Sequence, residues 1–441
     1  MAATRSPLRT TAILLSLAGS LTAPSAFGAD LFELFQEAQQ VDPTLERAER
    51  ERAIANYQED QAQAGFFPSL TGQAGRDWTS EEQVISGQPK SDQDLTQDQY
   101  SLTLTQPLFL GGRTWLSVDI AEMTQTKADS SISAARQDLM IRVAEAYFGV
   151  LDGQEEVELA EREVRRVEEH LERAQAQFDV GTGDITGVRE AEASRDQART
   201  RLIRARNNLR TAKQRLRRLI RRPAPELARV DEVSLTAPDP NTPDDWVERA
   251  LAENPTLEQT RQDLKIARKN VDLAKRERWP EVTAQAQYSK SEGGSFIKET
   301  TQQSAGIQLN WPIYQGGAVS AKTNIEQERA AQTRLQLDDQ QEEVRVQTIQ
   351  AFYDWESALE EVRSLRAQVT STKTQLDAVQ TGFEVGRRTS VDVLDAQQEY
   401  FDALRSLAQA RHQYLLARLQ LKAAVGVLNL EDLRAANRQL Q

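Results

Sequence analysis

Chemistry needs nucleophiles, metal ligands or acid–base pairs within reach of one another, and this chain offers few. It has no cysteine, so no disulfide, thiolate ligand or thiol nucleophile is available. Its two histidines, His170 and His412, stand in helical heptads without a ligand-spaced companion, as surface or seam residues do. Gly181-Thr182-Gly183 resembles a nucleotide loop only superficially, because it follows a helical pattern rather than a strand and lacks the third glycine. It reads better as a turn between antiparallel helices, with glycine ending the first. Neither a P-loop nor a hydrolase elbow occurs. The expectation is a protein that is not an enzyme and uses no cofactor or metal. Asp392 and Asp395 remain, three apart and therefore on one face of a helix.

Composition narrows the class. Lys and Arg number 54 against 67 Asp and Glu, a net charge of −13 with a pI near 5.0, which argues against a nucleic-acid partner. Hydrophobic residues are 39% and charged residues 27%, thin for a thick globular core. Arg5 and Arg9 precede the apolar run 12–21, and small residues follow at 26–29, so residues 1–29 read as a secretory signal peptide cleaved within 26–29. That run is too short to span a bilayer, and no later segment is apolar enough for a transmembrane helix. A membrane crossing would have to use strands.

The chain repeats itself. Asp42-Pro43-Thr44-Leu45-Glu46 recurs as Asn254-Pro255-Thr256-Leu257-Glu258, and Phe67-Pro68 pairs with Trp279-Pro280. Pro107-Leu108-Phe109-Leu110-Gly111-Gly112 then matches Pro312-Ile313-Tyr314-Gln315-Gly316-Gly317, and Phe178-Asp179-Val180-Gly181 matches Phe383-Glu384-Val385-Gly386. An ordered series of matches marks an internal duplication. The first repeat is expected over 30–235, with a β-hairpin at 66–110 and a long helical hairpin at 113–220. The second covers 236–441, with a β-hairpin at 280–313, a helical hairpin at 318–425 and a C-terminal equatorial segment.

Each long helix needs a partner. Val150, Val157, Val164, Leu171 and Phe178 fall at steps of seven, as do Trp355, Val362, Val369, Leu376 and Phe383. The returning helices carry rows of alanine, at 191, 198, 205 and 212 and at 396, 403, 410, 417 and 424. A sustained pattern of this kind specifies a coiled-coil seam, and alanine lets the axes approach closely. Tyr100-Leu102-Leu104, Val282-Ala284-Ala286-Tyr288 and Ala305-Ile307-Leu309-Trp311 alternate with polar residues, and Leu70–Trp78 does so more weakly. Such segments, about ten residues long, match outer-membrane barrel strands; Gly87–Asp94 and Glu292–Thr300 read as polar loops between them. Four strands cannot close in lipid, so two, three or four chains are required.

The run Val385-Gly386-Arg387-Arg388-Thr389-Ser390-Val391-Asp392-Val393-Leu394-Asp395, its duplicate Val180–Val188 and the Pro-x-x-x-Gly-Gly junctions resemble the TolC family of outer-membrane efflux channels. The resemblance covers essentially the whole mature chain. It implies a homotrimer with a 12-stranded β-barrel in the outer membrane, in contact with its lipid, continuous with a 12-helix periplasmic tunnel closed at its inner tip. It implies service to a tripartite efflux pump or a type I secretion system, alongside a periplasmic adaptor and an inner-membrane transporter. Pro68, Pro107, Pro280 and Pro312 would lie between barrel and tunnel, where proline ends helices and removes a strand donor. Asp392 and Asp395 would ring the pore entrance, crowded enough to raise one another's pKa. Thr186 and Arg388 match one linking pair of the family's tip; Gly187 and Phe383 replace the Asp and Tyr of the other. The competing reading is a periplasmic coiled-coil scaffold or adaptor.

Overall fold

A computed structural model describes residues 29–83, 91–228, 233–293 and 298–438. The expected signal peptide lies outside the described residues apart from Ala29. The first repeat runs α1 (Leu31–Val41), α2 (Pro43–Ala64), β1 (Ser69–Gln83), β2 (Ser91–Leu110), α3 (Arg113–Asp179) and α4 (Ile185–Ile220). The second runs α5 (Pro243–Glu253), α6 (Pro255–Arg276), β3 (Glu281–Glu292), β4 (Glu299–Asn310), α7 (Ala318–Glu384) and α8 (Ser390–Val425), followed by α9 (Leu430–Asn437).

The duplicated residues start and stop equivalent elements by the same means. Asp42 and Asn254 each cap a helix whose first residue is proline, their side chains accepting from the amides of Thr44 and Leu45 and of Thr256 and Leu257. Both α3 and α7 span 67 residues, roughly 100 Å at 1.5 Å per residue. Each begins after a glycine at positive φ, Gly112 or Gly317, and each gives way to another, Gly181 or Gly386. Between those stops neither contains a proline.

The helices pair as two hairpins, α3 with α4 and α7 with α8. Ala191, Ala198 and Ala205 in α4 and Ala396, Ala403, Ala410 and Ala417 in α8 are buried along the seams. Gly153 extends the close approach: a β-carbon there would lie 3.1 Å from the backbone of Leu209. Toward the strands the helices stand in the order α2–α3–α6–α7, and toward the turns in the order α4–α3–α8–α7. The protomer is thus a panel four elements wide, with α3 and α8 inside and α4 and α7 on the edges of its lower half. The main core sits at mid-height, where α1, α5 and α9 pack on the panel. There Tyr147 donates to the Ala228 carbonyl and Tyr414 to that of Thr236, pinning the segment between the repeats.

The four strands form one antiparallel sheet in chain order, with β1 and β4 as its edges. Register sorts the side chains cleanly, because directly paired residues share a face. Leu70, Leu102, Leu104, Tyr288, Ala284, Ile307 and Leu309 fall on one face; Thr71, Gln73, Ser101, Thr103, Gln285, Gln287 and Gln308 fall on the other. The strands are longer than expected, at 15, 20, 12 and 12 residues. Ser91–Asp94, expected in a loop, belongs to β2, while 84–90 lie outside the described residues. Glu292, Glu299 and Thr300 likewise belong to strands. The reason is that ladder hydrogen bonds continue through polar residues once the hairpin is in register.

Candidate functional site

Two places collect the residues singled out above: the junction between strands and helices, and the tip of the two hairpins. At the junction, Pro68 separates α2 from β1, Pro280 separates α6 from β3, and Pro312 follows β4. Pro107 instead lies inside β2, where the β2–β3 register shifts between Pro107 and Phe109. The shift absorbs its missing donor and lets the strand run on to Leu110.

At the tip, Asp392 is third in α8 and completes a reciprocal cap: its backbone N–H donates to Thr389 Oγ1, and its carboxylate accepts from the Thr389 amide at 2.8 Å. Those bonds to the Thr389 backbone and hydroxyl, helped by the Arg388 charge, hold the Asp392 carboxyl below the usual range. Within one chain the cap thus moves Asp392 opposite to the rise expected from a carboxylate ring. Asp395 is exposed one turn on. Glu399 and Asp402, which the sequence reading missed, continue the same open face at spacings of three, seven and ten from Asp392. All four acids of α8 thus lie on one stripe, facing away from the packed residues Val393, Leu394 and Phe401.

Arg388 pairs at 3.8 Å with Asp392. Thr186 is exposed, its amide donating at 3.1 Å to the cap Asp184. Among the described residues no bond within the chain joins Thr186 to Arg388. Gly187 lies against the second hairpin, where a β-carbon would sit 3.6 Å from that of Ser390.

What the chain does place between its hairpins is a polar ladder along the α3–α8 seam. His412 Nδ1 meets Asp152, and its ring stacks on Phe148. Glu163, 2% exposed, accepts from Arg201 of α4 at 2.5 Å and from Arg405 of α8 at 3.0 Å. Nearest the tip, His170 Nε2 lies 2.7 Å from Ser390 Oγ. Both histidines are buried seam residues, and their partners lie 220 and 260 positions away in sequence. Beneath His170 a small apolar cluster sets Leu394 of α8 among Val167, Leu171, Val188 and Ala191 of the first hairpin.

Comparison with known proteins agrees with this architecture. A family model described as outer membrane efflux protein matches residues 34–220 and 246–427. The chain is 28% identical to the outer membrane protein TolC of Vibrio cholerae, covering 97% of this chain and 98% of that one. It is 29% identical to the alkaline protease secretion protein AprF of Pseudomonas aeruginosa, covering 93% and 88%. The fold superposes on the Campylobacter jejuni CmeC outer membrane channel with a TM-score of 0.77 and 14% identity, covering 100% of this chain and 98% of that one.

Proposed function

The chain belongs to the outer membrane efflux protein family, and on that premise we propose that it is the outer-membrane exit duct of a tripartite efflux pump or a type I secretion system, opened at its periplasmic tip by partner proteins. The observation that carries this reading is the sheet. It has one apolar face, one polar face and two unpaired edges, and its large side chains are open: Ile307 is 73% and Leu309 62% exposed. In lipid an unpaired edge costs several kcal/mol per backbone group, so such a sheet must close with copies of itself. Three copies give twelve strands around a lumen lined by the Gln, Ser and Thr face, with the Leu, Ile and Tyr face toward lipid.

The helical edges support the same closure. On one edge, α4 carries eleven Lys and Arg against three Asp and Glu. On the other, α7 carries seven against twelve. The open face of α7 presents Leu335, Asp339, Glu342, Val346, Tyr353 and Glu360 at helical spacing. The α4 edge offers a recess lined by Arg215, Arg217, Arg218 and Arg221. A basic edge meeting the acidic edge of the next copy steers a head-to-tail ring. Thr186 and Arg388 are then the pair that links neighbouring hairpins at the tip.

In the trimer, Asp392 and Asp395 form the entrance ring, and Glu399 and Asp402 carry the acidic lining beyond it. Its partners in this reading are a periplasmic adaptor and an inner-membrane transporter, and the transporter supplies the energy. A relative named for protease secretion supports the type I secretion service beside efflux. Membrane fractionation followed by planar-bilayer recording tests the reading. Recovery with outer membranes and a discrete ionic conductance are expected. A soluble periplasmic protein without conductance would make it a scaffold instead.

A further inference from the structure

The tip can widen where hairpins part, between neighbouring copies or within a protomer, and within the protomer the contacts nearest the turns hold the hairpins together. Phe383 has no hydroxyl and Gly187 no side chain, so neither supplies a polar link there. We infer that His170 is the positioning residue of the closed tip, tying the first hairpin to the second through Ser390 Oγ and the ring of Phe383. The inference rests on the channel reading above and adds which contact holds it closed.

Three independent features converge on His170. Its ring is 3% exposed although it belongs to a helix largely coated in charge. It lies 2.7 Å from the hydroxyl of Ser390, the first residue of α8, and 5.9 Å from the ring centroid of Phe383 near the end of α7. It therefore touches both helices of the opposite hairpin at once. Beneath it, Leu394 inserts among Val167, Leu171, Val188 and Ala191, so a dry layer backs the bond. The start of α4 lies against the same residue: a β-carbon at Gly187 would sit 3.6 Å from that of Ser390, at van der Waals contact.

The chemistry suits a latch that releases. Burial, and next the Arg173 charge, lower the His170 pKa to about 4, so the ring is neutral at ordinary pH and offers one donor and one acceptor. Closed, His170 and Ser390 satisfy each other; parted, each can be satisfied by water. Higher on the seam, Glu163 is buried between two arginines, and losing Arg405 there is costlier. The contact nearest the tip is thus the one most readily exchanged for solvent.

Planar-bilayer conductance of the trimer tests this, with four variants judged against wild type after trimer formation is checked. Ser390→Ala and His170→Phe should each raise resting conductance by about tenfold, the scale of one net hydrogen bond. Combining them should add nothing further, because both remove one interaction. Gly187→Cys/Ser390→Cys places two sulfurs on β-carbons about 3.6 Å apart, within disulfide range, in a chain free of other cysteines. Oxidation should drop its conductance below wild type and reductant should restore it to the Ser390→Ala level. If the disulfide closes the duct while Ser390→Ala and His170→Phe conduct like wild type, the seam moves but His170 does not hold it, and the inference is overturned. If even the oxidised disulfide leaves conductance unchanged, the hairpins of a protomer do not part and the inference also falls. Wild type without any conductance would remove the channel reading itself.

Discussion

Helices α4 and α8 are copies of one ancestral segment, both 36 residues long and in register at an offset of 205, yet they have become physically different objects. The α8 helix buries sixteen residues where α4 buries six. Leu404, Leu415 and Leu419 of α8 stand where α4 has Arg199, Arg210 and Gln214. The cause is position in the panel. Between α3 and α7, α8 meets protein on two sides, whereas α4 has α3 on one side and an open edge on the other. The alanine seams survive in both copies because both still pair within a hairpin. Divergence fell on the faces whose neighbours differ.

The largest effect separating the two copies should come from truncating matched positions. Leu415→Ala removes a side chain 1% exposed and should cost about 2–5 kcal/mol of unfolding free energy. Arg210→Ala, on the open edge, should stay within about 0.5 kcal/mol. Denaturant unfolding of the detergent-solubilised protein measures both, and similar losses would dissolve the distinction between an inner and an edge helix.

Acid should act on the seam rather than on the edge. The His170 pKa is lowered to about 4, so the unfolded chain binds a proton between pH 6.5 and 4 that the folded chain refuses. Stability is therefore complete above pH 6.5 and declines as pH falls toward 4, on the order of 3 kcal/mol per protomer. Thermal unfolding against pH should lose this slope in His170→Phe. A slope identical to wild type would place the titration elsewhere.

Salt should act on the edge. Exposed ion pairs contribute about 0.2–1 kcal/mol each and are screened, so trimer yield should fall as salt rises toward 1 M. Arg210→Glu/Arg217→Glu/Arg218→Glu should depress assembly, and Asp339→Arg/Glu342→Arg/Glu360→Arg on the facing edge should partly restore it. Assembly indifferent to both salt and charge reversal would leave packing alone to join the copies. The smallest expected change is in ion choice: Asp392→Ala/Asp395→Ala should weaken cation selectivity and block by multivalent cations, read from reversal potentials. Because Glu399 and Asp402 persist on the stripe, selectivity should shrink without inverting.

What could be read from the sequence followed the range of the interactions involved. The seams of α3–α4 and α7–α8 are local patterns, and the steps of seven and the alanine rows announce them. Strand alternation marked the apolar face from Leu70 to Leu309. The polar ends of β1 and β2 were not legible, because ladder bonding to a neighbouring strand leaves no side-chain signature. Pro107 marked the junction but gave no sign that β2 continues past it. The seam roles of His170 and His412 depend on Ser390 and Asp152, far away in sequence, and only folding brings those together. Glu399 and Asp402 follow the same helical spacing as Asp392 and Asp395 and were legible from it.

The central claim is that an open four-stranded panel becomes a duct only by closing with two further copies of itself. Native mass measurement of the protein extracted from outer membranes in mild detergent tests it most directly. A single dominant species of three chains is expected, with monomer appearing only on denaturation. A stable monomer or dimer as the main membrane species would contradict the closure and every gate built upon it.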